Sequence, residues 1–266
     1  MTMNDLNDFS FLQPPSDRRE VHEWLAEQEE RIAVKTRAAL ARIIGEPMEL
    51  FVDSLTATGD MSYFDSIPIE WVKYVDDVLV TDLQGMFYAG TMQVYAEASN
   101  ITVLSDEATF MWVEVINEEA VQYAKESTNL MADVGMTTWN KVKTAVATGI
   151  ESGVSIEGVK NIIQTTKKFS EYRADTIART ETLRAYNNGD WSGAQALGEY
   201  GPKTKFWMPT FDPPRARATH MALASVQPIP MKQPFMVDGE MMMYPHSPGA
   251  SAKNTVNCRC VLGFNY

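Results

Sequence analysis

Hydrophobic residues recur at spacings of three and four along most of residues 16–197, and this period is typical of amphipathic helices. The first predicted helix starts after an N-cap at Ser16 and ends near Ile44, and Ser105 and Ser155 are the predicted caps of two later helices. The second contains Gly85 and Gly90, where we expect a kink or a close crossing with another helix. In chain order the predicted long helices span residues 17–44, 69–98, 108–131, 137–149, 156–169 and 170–197, with Asn187-Asn188-Gly189 as a candidate break in the last.

The pattern changes after Gly198 to short apolar runs separated by turns. Asp212, followed by two prolines, is typical of the cap of a short helix, with a body at 215–224. Asp238-Gly239 is typical of a two-residue hairpin turn. The predicted strands span 204–208, 226–230, 235–237, 240–244 and 258–264. The predicted fold class is therefore mostly α, with a long-helix N-terminal body and a small α+β C-terminal domain.

The composition narrows the class of protein. The chain has 266 residues, of which 45% are hydrophobic, enough for a buried core. Its apolar runs are shorter than the roughly 18 residues of a membrane helix, and acids follow Met1 where an export signal would carry bases. Two cysteines do not make a disulfide framework and fit a reducing compartment. We therefore expect a protein that is neither exported nor bound to a membrane.

The charge is divided unevenly along the chain. After Gly201 there are seven Lys and Arg against three acids, a local +4, while the totals leave 16 bases and 32 acids in residues 1–200, a local −16. Such a body cannot bind nucleic acid over its whole surface, because phosphate binding needs local positive potential. It could face a basic protein surface, or the acids could simply be solvated helix faces.

A metal site is the first candidate chemistry. His220, Cys258 and Cys260 are soft ligands, with Asp212 or His246 as a fourth. The Cys-x-Cys spacing predicts both thiols on one face of the last strand. A structural zinc site normally takes four Cys or His ligands, with the cysteines usually paired as Cys-x2-4-Cys, whereas this chain has a single Cys-x-Cys and no second cysteine pair. The alternative is a purely structural role, in which the two cysteines are small buried residues and His220 is hydrogen-bonded to the backbone. The sequence favours this structural role.

Catalysis and nucleic-acid binding are the other candidates. Cys258 and His220, with Asp212 orienting the ring, could form a nucleophilic pair, but no known nucleophile signature surrounds them, and a structural role is favoured. A basic and aromatic cluster could bind single-stranded nucleic acid or could equally form the core of a small domain, which is the interpretation we favour. The cluster consists of Lys203, Lys205, Phe206, Trp207, Phe211, Arg215, Arg217 and Arg259.

An ordered series of motifs over about residues 140–262 resembles the phage Mu F-like head morphogenesis family, minor capsid proteins of tailed phages and prophages. The series runs from Ile177-Ala-Arg-Thr-Glu-Thr and Ala185-Tyr-Asn-Asn-Gly through Lys205-Phe-Trp, Asp212–His220, Phe235 and Tyr244-Pro to Val256-Asn-Cys-Arg-Cys. Pro213-Pro214, and Lys253 or Asn254 where an acid often stands, depart from the pattern. The family pattern falls on Arg179, Glu181, Asn187, Trp207, Asp212, Arg215, Arg217, His220, Asn257, Cys258 and Cys260.

The resemblance implies a structural role without catalytic residues. It implies several copies inside the head near the portal, present in the host cytoplasm before assembly, with the portal protein, the major capsid protein or both as partners, and packaged DNA as a further contact. It implies no cofactor, which leaves zinc as the open alternative. The domains expected are a flexible arm at 1–15, a helical body at 16–135, and a Mu F-like domain at 136–266 whose helical part ends at 198. The alternatives are an enzyme delivered with the DNA, of nuclease or transferase type, and a DNA-binding virion module.

Overall fold

Long helices dominate the computed structural model, which describes residues 14–15, 17–44, 79–102, 104–210 and 216–266. A 3-10 turn at Arg18–Glu20 leads into the first helix, and its N-cap is Asp17, one residue later than predicted, whose carboxylate accepts the Arg19 amide. The long helices are α1 (Val21–Ile44), α2 (Val80–Ile101), α3 (Asp106–Glu151) and α4 (Ile156–Ala196). Residues 1–13 of the arm predicted at 1–15, and the start of the second predicted helix, lie outside the described residues.

Two predicted helix boundaries are wrong. The helices expected at 108–131 and 137–149 form the single α3, and those expected at 156–169 and 170–197 form the single α4. No proline stands between either pair, and an isolated glycine costs a helix only about 1 kcal/mol, so neither connection is forced to break. Asn187-Asn188-Gly189 also continues α4 without a break. The N-caps at Ser105 and Ser155 are confirmed, because their hydroxyls accept the Ala108 and Gly158 amides.

The chain divides into two compact units that do not follow chain order. One unit consists of residues 1–30, 82–124 and 179–266, and the other of residues 31–81 and 125–178. In the second unit Arg37 forms an ion pair with Asp175. None of the helices in the part of the chain that the structure describes combines the length and the apolar character needed to span a bilayer. The first unit contains most of the family-motif positions and is the one that matters for the site.

Within the first unit, α2 crosses the end of α4 at glycines. A methyl group at Gly90 would lie 2.2 Å from the Tyr186 carbonyl oxygen, and one at Gly189 would lie 1.9 Å from the Phe87 carbonyl oxygen. Only residues without a Cβ allow two backbones to approach this closely. The predicted close crossing at Gly90 is therefore confirmed, and Gly189 serves the contact where the sequence suggested a helix break.

Two small antiparallel sheets follow α4 in the first unit. The three-stranded sheet has the order β2-β1-β5, formed by β2 (Ile229–Pro230), β1 (Thr204–Met208) and β5 (Val261–Asn265), with Trp207 opposite Leu262. The two-stranded sheet pairs β3 (Phe235–Val237) with β4 (Glu240–Met242). Asp238 and Gly239 both have positive φ, so the predicted hairpin turn is confirmed. Two helical turns, α5 (Ala218–Met221) and α6 (Ala252–Thr255), complete the region.

Several bounds in this region differ from the predictions. The short helix begins at Ala218, and the proposed cap at Asp212 lies outside the described residues. The last strand begins at Val261, so Cys258 and Cys260 precede it. The prediction that both thiols project from one face of a strand is therefore wrong. Asn257, just before the first cysteine, adopts a left-handed backbone with φ 59°, which asparagine tolerates better than most residues and which interrupts extended structure.

Candidate functional site

The structure brings His220, Cys258 and Cys260 into one buried cluster. His220 comes from α5, and the cysteines come from the turn that leads into β5. The ligand atoms of the three residues lie within 4.8 Å of one another. Each side chain is at most 3% exposed. Residues some 40 positions apart in sequence therefore meet at one point in the core.

The imidazole Nδ1 of His220 lies at the centre of the cluster. It is 3.5 Å from Cys258 Sγ and 3.4 Å from Cys260 Sγ. The Cys260 amide points to Cys258 Sγ at 3.5 Å. Trp207 lies edge-on to the His220 ring, with the two ring centroids 5.6 Å apart, and also packs against Phe235. The family-motif position Trp207 thus forms an apolar wall of the cluster.

The pKa values of the two neighbouring thiols are shifted in opposite directions. The pKa of Cys258 is lowered well below its usual range, first because Cys260 hydrogen-bonds to it, while burial acts in the opposite direction and His220 and His246 contribute. The pKa of Cys260 is raised, by the same hydrogen bond and by burial. Cys258 is therefore the sulfur on which negative charge is stabilised.

Asn254 orients the His220 ring. The Asn254 Nδ2 group donates to the Val237 carbonyl at 3.2 Å, so its Oδ1 faces His220 Nε2 at 3.3 Å. Since an amide oxygen can only accept, the Nε2 atom carries a proton, and Nδ1 is the ring atom that faces the two sulfurs. The sequence offered Asp212 as the group orienting this histidine, and among the described residues it is Asn254 that does so.

A second buried histidine lies beside the cluster. His246 Nε2 is 3.1 Å from the Cys258 carbonyl oxygen, which requires the proton on Nε2. Its Nδ1 atom is buried and makes no hydrogen bond to any described residue. Both histidines therefore direct Nε2–H at a carbonyl oxygen and keep Nδ1 in the interior.

Other family-motif positions join α4 to the turn before β5. Arg179 donates to Asn257 Oδ1 at 2.7 Å and to Glu29 Oε2 at 3.1 Å. Arg259 lies on the same carboxylate at 3.3 Å. Burial raises the pKa of Glu29, although Arg259 and Arg179 act to lower it. This network ties α1, α4 and the cysteine turn together.

Asn187 is fully buried, and its side-chain amide forms hydrogen bonds with the backbone of residues 260 and 262. Its Nδ2 donates to the Cys260 carbonyl at 3.0 Å and to the Leu183 carbonyl at 2.8 Å, and its Oδ1 accepts the Leu262 amide at 3.2 Å. A side chain, instead of another strand, therefore hydrogen-bonds the free edge of β5. These bonds give partners to backbone N–H and C=O groups that would otherwise be buried without them.

The remaining motif positions also make internal contacts or lie outside the described residues. Glu181 forms a pair with Arg184, and burial raises the pKa of Glu181 despite that arginine. Arg217 donates to the Val256 carbonyl at 2.6 Å. Asp212 and Arg215, like Phe211 of the aromatic cluster, lie outside the described residues.

Lys205, the central cation of the candidate nucleic-acid surface, lies in the interior of the protein. Lys205 is fully buried, donates to the Met243 carbonyl at 2.6 Å, and lies over the rings of Trp191 and Phe235. Burial lowers its pKa to about 8. Lys203 is exposed, and its ammonium donates to the Glu199 carbonyl. The arrangement agrees with the favoured interpretation that these residues build a small domain.

Sequence reasoning missed a buried ion cluster and Asn254. Arg18 lies within hydrogen-bond distance of Glu97, Asp190 and the Leu262 carbonyl. These residues are far apart in the chain, and no spacing pattern could have joined them. Asn254 stands four residues before Cys258, so its closeness to the cysteine motif was a sequence signal that it could belong to the same site.

Residues 140–263 match the family model described as Phage Mu protein F like protein. The predicted resemblance and its place in the C-terminal half are confirmed, and this half is similar to phage head morphogenesis proteins. The uncharacterized protein YqbB of Bacillus subtilis (strain 168) is 26% identical over 152 residues, which are 56% of this chain and 49% of the relative. The matched part thus spans about half the length of that curated relative. No solved structure matches the chain.

Proposed function

We propose that the chain is a structural minor head protein of a tailed phage that docks at the portal during head assembly. The match of residues 140–263 to the Mu F-like family carries this proposal. The family-motif side chains support it, because those described are used inside the fold. Asn187, Arg179 and Arg217 all hydrogen-bond to the turn around Cys258. Such residues specify a compact domain, whereas an enzyme needs polar groups that converge on an open pocket.

A face of α3 is suited to docking. Phe110, Met111, Val115 and Val121 are large apolar residues that are between 43% and 64% exposed. Between residues 106 and 124 the helix carries five acids and no Lys or Arg. An exposed helix face that mixes apolar residues with acids fits a partner surface that mixes apolar residues with bases. In this proposal the partner is the portal protein of the same phage.

Contact with packaged DNA receives less support. Of the basic residues after Gly201, Lys205 is buried, Arg217 bonds a carbonyl, and Arg259 pairs with Glu29. Side chains held in this way do not neutralise phosphates, so we place the protein–protein contact first.

Co-expression of the chain with the portal protein, followed by affinity capture, tests the proposal. We expect copurification, and we expect the double substitution Phe110→Ser with Val115→Ser to weaken it at least about tenfold through lost apolar burial. The matched control is Met236→Ser with Met241→Ser, which removes exposed apolar residues of the β3–β4 hairpin. If folded components fail to associate in any assembly state, portal docking is wrong. Equal loss from both double variants would contradict the assignment to α3.

A further inference from the structure

The cluster of His220, Cys258 and Cys260 has the geometry of a metal site. Zinc lies about 2.3 Å from thiolate sulfur and about 2.0–2.1 Å from imidazole nitrogen, and at a tetrahedral angle these bonds place S and N about 3.5 Å apart. The observed separations from Nδ1 to the two sulfurs are 3.5 and 3.4 Å. A single nitrogen lone pair can accept one S–H well, yet two sulfurs face it at equal distance. One ion bound by all three atoms explains this convergence.

The surroundings of His220 are those of a ligating histidine. A metal-bound imidazole usually donates its other N–H to a carboxylate or carbonyl, which fixes the ring and its tautomer. Here the Nε2 proton of His220 goes to Asn254 Oδ1, and the Asn254 amide is fixed in turn by the Val237 carbonyl. The Cys260 amide directed at Cys258 Sγ supplies a donor to a thiolate.

His246 offers a fourth donor. It is 3% exposed, its Nε2 donates to the Cys258 carbonyl, and its Nδ1 makes no hydrogen bond to any described residue. A buried ring nitrogen without a partner costs free energy unless something binds it. His246 lies outside the group within 4.8 Å, so binding needs a shift of its side chain toward the sulfurs.

We propose that His220 Nδ1, Cys258 Sγ and Cys260 Sγ bind a structural zinc ion, with His246 Nδ1 as the fourth ligand. Two sulfurs and two imidazoles in a buried site suit zinc, whose structural sites have four protein ligands and no open position. The ion would link α5 to the turn before β5 and so close the C-terminal region. The proposal does not depend on the function of the protein, and portal docking and zinc binding can each fail alone.

The zinc content of the full-length protein, purified without chelator and dialysed against metal-free buffer, tests the site. We expect one equivalent of zinc, removal by a strong chelator, and a lower midpoint of thermal unfolding after removal. Less than a tenth of an equivalent, with no uptake when zinc is added to the reduced apo-protein, would overturn the proposal.

Cobalt(II) substitution identifies the ligands in protein that is still folded. We expect thiolate-to-cobalt absorption in the near ultraviolet and the intense visible bands of tetrahedral cobalt. Cys258→Ser and Cys260→Ser should each halve the thiolate band, while His220→Ala should reduce affinity at least about 100-fold at retained far-ultraviolet circular dichroism. Metal that binds with undiminished affinity and an unchanged spectrum in these three variants would show a different site and contradict the assignment.

The third histidine, His22, is the competing candidate for the fourth ligand, because its Nε2 atom is also buried without a hydrogen-bond partner among the described residues. Burial lowers the pKa of His22, while Cys258 acts to raise it, so the two side chains interact. His246→Ala should weaken zinc affinity at least about tenfold, and His22→Ala should leave it unchanged. The positioning residue is tested by Asn254→Ala, which should lower affinity about 10–100-fold without changing the thiolate band. If His22→Ala weakens binding and His246→Ala does not, the assignment of His246 is wrong.

Discussion

Arg18 Nη1 lies 2.7 Å from Asp190 Oδ2, and this ion pair between the start of the first helical segment and α4 is shielded from solvent, with side chains 10% and 0% exposed. Glu97 shares the same guanidinium at 2.6 Å. Arg18 also donates to the Leu262 carbonyl, while Asn187 accepts the Leu262 amide. The two side chains together satisfy both backbone groups of Leu262 at the edge of β5.

The ion cluster predicts a dependence of stability on pH. Burial raises the pKa of Asp190 from 3.8 to about 7, although Arg18 acts to lower it. Between those pH values the Asp190 carboxyl is protonated in the folded protein and ionised in the unfolded chain, so its contact with Arg18 is a full ion pair only above about pH 7. The stability that the bound proton contributes is present below pH 4 and is lost as pH rises through 7. Relative to Asp190→Asn, the wild type should lose unfolding free energy from pH 4 to 7, by at most about 1.4 kcal/mol per pH unit. Urea unfolding of both proteins at several pH values measures this, and parallel curves would contradict it.

Asn187 should be essential for stability. Asn187→Ala leaves the Leu262 amide and the Cys260 carbonyl buried without this partner, and each lost partner costs about 1–3 kcal/mol, so we expect a loss of about 2–4 kcal/mol in urea unfolding. The control is Asn188→Ala, the same change at a half-buried neighbour, for which we expect less than about 0.5 kcal/mol. Similar losses in the two variants would show that the bonds to β5 are not the cause.

The crossing of α2 and α4 should tolerate no side chain at Gly90. In Gly90→Ala the methyl group would meet the Tyr186 carbonyl oxygen and, at 2.6 Å, the Asp190 amide nitrogen, and backbone atoms cannot move aside as a side chain can. We expect a loss of about 3 kcal/mol or more, measured by thermal and urea unfolding. In Gly149→Ala the new methyl meets only the end of the Ile162 side chain, so a change within about 1 kcal/mol is expected. A tolerated Gly90→Ala would mean that the two helices are farther apart than described.

Much of the local structure follows from the sequence alone. The period of apolar residues, the caps at Ser105 and Ser155, the strand at 204–208 and the turn at Asp238-Gly239 are local properties, and each is confirmed. The motif series also identified the Mu F-like half. Helix continuity was misjudged, because a weak breaker such as Asn187-Asn188-Gly189 costs little when its residues gain tertiary contacts.

The tertiary structure alone decided what those residues do. Gly189 serves a helix crossing, Asn187 bonds the edge of β5, and Lys205 lies in the core. His220 meets the cysteine pair only because α5 and the turn before β5 pack side by side, and among the described residues Asn254 is the one that orients its ring. A sequence records which side chains can bond or ligate, whereas the chain must fold before residues distant in sequence lie within 3–4 Å, the distance at which such chemistry operates.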